Sequence, residues 1–170
     1  LLGPHALGLL DQAIVSATSF LVTVIVGRWT DPDQLGLYAL ALSVVALALA
    51  TQESLVTRPY SIQLHRPIGS PAAHALGALA LSALLGIAAG FCAAALMLTI
   101  GLLGQNHAMQ GFAWFLAAAL PFIMNREFGR RFAFARLDFR LALLIDTIAA
   151  AVTAMALGML AWADALSATT

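Results

Sequence analysis

Lysine is absent from this 170-residue sequence, and charge of either sign is scarce: eight arginines and eight acids are 9% of the chain. A soluble domain carries about 25% charged residues, so the sequence cannot clothe an ordinary water-facing surface, and a disordered chain is excluded with it. The formal net charge is zero, which argues against nucleic acid as a partner, since a basic excess is what binds phosphate backbones. Cysteine occurs once, so no intrachain disulfide can form. Cys92 lies in a Gly/Ala-rich apolar run and is expected as a small buried packing residue. His5, His65, His74 and His107 share no metal-ligand spacing. A Gly-rich phosphate loop, a paired acidic motif and a nucleophile elbow are all missing. The sequence therefore predicts no enzyme, no metal and no cofactor.

What the chain has instead is apolar surface: 62% hydrophobic residues and a mean hydropathy of +0.94. Such a chain is expected to have lipid as its solvent. The first apolar segment is no secretory signal, because it lacks a basic leader and has Asp11 and Gln12 at its entrance. A bilayer core needs roughly 20 apolar residues as helix. The sequence predicts five such spans, at about 9–27, 35–55, 75–103, 111–130 and 141–162. Thr30-Asp31-Pro32-Asp33 is too polar to stay in lipid, and Pro59, Pro67 and Pro71 are expected to break the chain after the second span. From Pro67 to Asn125 no Asp, Glu, Lys or Arg occurs; the polar turn Gly104-Gln105-Asn106-His107 divides that stretch into two spans. Pro121 is expected to kink the fourth helix, which runs on into Asn125–Arg136. The fold class expected is all-α: one polytopic membrane domain over 1–170, with no sheet and no soluble domain.

Arginine position sets the orientation. Arg58 and Arg66 follow the second span, Arg126, Arg130, Arg131, Arg136 and Arg140 follow the fourth, and Arg28 alone lies on the other side. The arginine-rich side is expected to be the cytoplasm, with the amino terminus inside and the carboxy terminus periplasmic. Trp29, Trp114 and Trp162 fall at the opposite helix ends, as interface residues do.

Several stretches, in order and spacing, carry a family resemblance. Leu10-Asp11-Gln12-Ala13-Ile14-Val15-Ser16 opens the first helix. Gly27-Arg28-Trp29-Thr30-Asp31-Pro32 through Gly36-Leu37-Tyr38-Ala39 leads into the second, which ends in Gln52-Glu53-Ser54-Leu55-Val56-Thr57-Arg58-Pro59-Tyr60. Arg126-Glu127-Phe128 through Phe134-Ala135-Arg136-Leu137-Asp138-Phe139-Arg140 follows the fourth. Together they resemble polysaccharide and O-antigen exporters, the lipopolysaccharide-biosynthesis flippases of the multidrug/oligosaccharidyl-lipid/polysaccharide superfamily. The resemblance spans the whole chain and corresponds to about the first five of that family's twelve or more helices. It implies a bacterial inner-membrane protein that flips a lipid-linked glycan by alternating access, with cationic side chains holding the pyrophosphate and sugar head. The implied partners are the bilayer, the lipid-linked glycan and glycan-assembly proteins. Leu1 at the start and Ser167-Ala168-Thr169-Thr170 at the end are read as the limits of a fragment, an incomplete lobe. Two other readings stay open: a drug or lipid exporter of the same superfamily, and a small non-transporting membrane scaffold.

Polar groups inside spans are costly and tend to face a bundle interior or a water-filled path. Asp146, about two turns into the fifth helix, reads either as a cavity-lining acid or as an interfacial acid paired with an arginine such as Arg126. Asp11 and Gln12 begin the first helix, and Gln52 and Glu53 close the second with Arg58 near. With Arg126 these residues are expected at a similar cytoplasmic depth, as the inward mouth of a substrate path, and Arg130 is a further substrate-path candidate. Phe128, Phe132, Ala135 and Phe139 share a helix face opposite Arg126 and Arg130, a segment suited to the headgroup layer. Arg126 and Arg130 either set topology against anionic lipid or bind the substrate's pyrophosphate through bidentate guanidinium geometry. Gly86 and Gly90 form a GxxxG that permits close helix approach, inside the bundle or between copies.

Overall fold

A computed structural model describes residues 4–63, 70–104 and 107–162, and among these it is all-α, with no strand. Its long helices are α1 (Pro4–Trp29), α2 (Pro32–Gln52), α4 (Pro71–Leu103), α5 (His107–Ala135) and α6 (Phe139–Trp162); the short α3 (Arg58–Gln63) continues α2. Among the described residues, four stretches are long and apolar enough to cross a membrane: 6–28, 32–63, 72–103 and 139–159. By that length and composition the chain is a membrane protein. The expected fourth span lies on α5, which is not among the four. Its Asn125-Arg126-Glu127 and Arg130-Arg131 dilute the apolar run that begins near Gly111.

Local chemistry explains where the helices start and stop. Pro4, Pro32 and Pro71 each open a helix, where the missing N–H costs nothing. α4 ends at Gly104, whose N–H reaches the Ile100 carbonyl. Between α5 and α6, Leu137 takes a positive φ of 59°, a conformation that favours glycine. Asp138 then caps α6, accepting a bond from the Leu141 N–H at 3.1 Å. Inside the helices, Thr23, Thr51, Thr147 and Thr153 donate back to the carbonyl four residues earlier. That bond hides the hydroxyl from lipid.

Pro59 does not end the second helix as expected. The chain forms five residues of π-helix at Glu53–Thr57 and continues as α3 to Gln63. In an α-helix the Pro59 ring would strike the Leu55 carbonyl. The wider π turn relieves that clash, with the Arg58 N–H bonding the Glu53 carbonyl five residues back. Of the other expected breaks, Pro71 is the first residue of α4, while Pro67, with His65 and Arg66, lies outside the described residues. So do Leu1, Gln105 and Asn106 of the polar turn, and Ser167 to Thr170.

The chain divides into two compact units, 1–36 with 136–170, and 37–135. In the first, α1 packs along α6, leaving an apolar trough of about 310 Å³ between Thr18, Val22 and Ile25 on one side and Ala150, Ala154 and Gly158 on the other. In the second, α2, α4 and α5 share a core. Ala48, Ala93, Leu120 and Met124 form one buried cluster, and Ala94, Met97, Ala113 and Leu116 another. Small residues set the α4–α5 approach. A Cβ on Gly86 would stand 3.0 Å from Pro121 Cα, and one on Gly90 would stand 2.7 Å from the Ala117 carbonyl oxygen. Pro121 lies inside α5 without breaking it, and Ala117, four residues earlier, is the carbonyl that a proline leaves without a helical donor. The GxxxG face is thus turned toward α5. Cys92 is a correction: it is exposed on α4, not buried, because the buried α4 register is Ser82, Gly86, Gly90, Ala93, Ala94, Met97 and Gly101.

Candidate functional site

Charged and polar side chains of the 37–135 unit gather around the π turn. Glu53, its first residue, accepts from Arg58 at 3.3 Å and from Arg131 on α5 at 3.1 Å. Arg131 also donates to Glu127 at 2.8 Å, one α-helical turn back. Glu127 in addition receives a two-pronged contact from Arg130, at 3.1 and 3.2 Å, and the Arg130 guanidinium lies 5.7 Å from the centre of the Phe134 ring. The five side chains form one chain of contacts, Arg58–Glu53–Arg131–Glu127–Arg130, with three cations to two anions. Its exposure is graded: the Arg58 side chain is 71% exposed, Arg131 34% and Arg130 19%. Helix spacing explains the inner half, since residues three and four apart on α5 face each other.

Beneath this network sits a buried polar node. Gln52, the last residue of α2, donates from its amide nitrogen to the Ser82 hydroxyl at 2.6 Å and to the Met124 carbonyl at 2.8 Å. Ser82 in turn donates to Asn125 Oδ1 at 3.3 Å. The node ties the end of α2 to α4 and α5, and its bonds offset the cost of placing an amide and a hydroxyl among apolar helices.

On the other side of the π turn, Tyr60 packs on α5. Its ring stacks on Phe132 at 5.6 Å and meets Phe128 edge-on at 6.0 Å. The aromatic face of α5 therefore begins in a protein contact: Phe128 is buried and its ring meets that of Tyr60. Tyr60 also walls a cavity of about 420 Å³ shared by Val56, Pro59, Gln63, His74 and Gly77. The Tyr60 and Thr57 hydroxyls are buried without a hydrogen-bond partner among the described residues.

Among the eight residues expected on a substrate path, Glu53, Arg58 and Arg130 meet in the ionic network and Gln52 holds the node beneath it. Arg126 is exposed on α5. Asp11, Gln12 and Asp146 belong to the other unit, where Asp11 and Asp146 are buried on α1 and α6 and Gln12 is exposed. The sequence expectation does not include Glu127, Arg131, Ser82, Asn125 or Tyr60. Glu127 and Arg131 are within reach of the i,i+3 and i,i+4 charge rule, whereas the others carry no local signal. Among the described residues, no three His, Cys, Asp or Glu side chains come together in a way that suits a metal ion. No family model, no curated protein and no solved structure matches the chain.

Proposed function

We propose that this chain is part of a bacterial inner-membrane flippase for a lipid-linked oligosaccharide or polysaccharide precursor, working by alternating access together with helices outside the chain. The observation that carries the reading is the network of three arginines and two glutamates at the end of apolar helices. Guanidinium groups bind phosphate bidentately, and a cation excess whose outer pair, Arg58 with Glu53, is largely exposed is open to exchange for a diphosphate. The resemblance of the stretches around Asp11, Gly27, Gln52 and Arg126 to polysaccharide exporters supplies the glycan part. Lipid-linked glycan enters from the cytoplasmic leaflet, meets Arg58, Arg126 and Arg130 through its diphosphate, and leaves on the periplasmic side. In the first unit, Asp11, Gln12 and Asp146 are the polar groups assigned to transport.

The test is glycan export by cells whose only copy of the exporter carries Arg126→Ala, Arg130→Ala or Asp146→Ala. Each is expected to abolish export at normal membrane levels. Wild-type export in all three refutes the roles. Loss of drug efflux with intact glycan export moves the protein to another branch of the superfamily.

A further inference from the structure

The π turn at Glu53–Thr57 is the one place where the described helices take up π-helical bonding, and it carries an unmet hydrogen bond. Thr23, Thr51, Thr147 and Thr153 all bond the carbonyl four residues back. Thr57 does not: its hydroxyl is buried and unbonded, while the Glu53 carbonyl it would use receives the Arg58 N–H. The next buried hydroxyl along the chain, that of Tyr60, is unbonded too. The competing α-helical arrangement would restore the threonine bond but would drive the Pro59 ring into the Leu55 carbonyl. Each arrangement thus has a defect the other lacks, the condition for two states of similar free energy.

Two features decide between them. Glu53, the first π residue, is tied to α5 through Arg131 at 3.1 Å. Beyond the turn, the cavity of about 420 Å³ lies against Val56, Pro59 and Tyr60, so the segment has room to move on that side. A π turn holds one residue more than the α turn it replaces. Returning it to α therefore rotates the helix beyond it by roughly 100° and advances it by about 1.5 Å.

We propose that Glu53–Thr57 is a latched register switch: the Glu53–Arg131 pair holds the π turn, and its release lets the segment regain α bonding, turning α3 and carrying Tyr60 off Phe128 and Phe132 toward the cavity. Any anion that takes Arg131 from Glu53 opens the latch. The switch does not depend on what the protein transports.

The test uses purified protein in detergent, in a Cys92→Ser background, with Val56→Cys as a buried reporter for a small thiosulfonate reagent. Adding Glu53→Gln or Arg131→Gln is expected to speed labelling at position 56 at least tenfold. Adding Pro59→Ala, which removes the defect of the α state, is expected to do the same with the latch intact. A second reporter, Ala113→Cys on the buried seam of α4 and α5, is expected to keep its slow rate throughout. Unchanged labelling at position 56 in the latch variants overturns the proposal. So does a parallel rise at position 113, which would mean general loosening.

Discussion

Gly90 touches a backbone, which leaves a substitution little to push aside. A methyl group there would sit 2.7 Å from the Ala117 oxygen, so Gly90→Ala must part α4 from α5, at a cost of roughly 1–3 kcal/mol. A lowered melting temperature in detergent is expected, and Gly77→Ala, whose new Cβ meets nothing within 4 Å, is expected to hold or raise it. Leu137 offers the opposite experiment: Leu137→Gly relieves a φ of 59° and is expected to stabilise by up to about 1 kcal/mol, seen as a higher melting temperature. The small-residue spacing of Gly86 and Gly90 is legible in the sequence. Their seat against Pro121 and Ala117 is not, because a period names a face and leaves its neighbour open. Cys92 misleads for the same reason: every α4 residue is apolar or small there, so nothing marks which side is buried.

At the level of helices, the ionic network ranks its own members. Arg58 holds Glu53 within one helix and is mostly exposed, so Arg58→Ala is expected to change stability by less than about 0.5 kcal/mol. Arg131 joins the π turn to α5 and touches both glutamates, so Arg131→Ala is expected to cost clearly more, measured by the same melting series. Asp138→Ala removes the cap of α6 and is expected to cost about 1 kcal/mol. Existence of the long helices is written in the apolar runs, and their starts in Pro32 and Pro71. Pro59 misleads because a proline's clash has two remedies, ending a helix or widening one turn. Choosing the second depends on partners distant in sequence, Arg131 for Glu53 and the Phe128–Phe132 pair for Tyr60. The candidate site is legible in the same partial way: Glu53, Arg58 and Arg130 stand out as charges beside apolar spans, and the neighbours that organise them do not.

For the whole molecule, orientation is open to a direct experiment. With Cys92 replaced, a cysteine from Thr30→Cys is expected to react with a membrane-impermeant maleimide from the periplasm, and one from His65→Cys only after the membrane is breached. Labelling of position 65 from outside would reverse the topology read from the arginines. The exposed apolar residues of the described helices, Phe20, Leu47, Leu84, Phe91 and Met155 among them, leave lipid as the medium these surfaces fit. α4 adds a demand of its own. Its 33 residues extend about 50 Å at 1.5 Å each, whereas a hydrocarbon core is about 30 Å thick, and no charge interrupts the helix. Standing upright, it would push several apolar turns into the headgroups and water at one end or both. Hydrophobic mismatch of that size is relieved by leaning or by stretching the surrounding lipid. Bilayer thickness is therefore expected to bear on this protein's stability, and reconstitution into longer-chain phosphatidylcholines is expected to raise its melting temperature until the core accommodates α4.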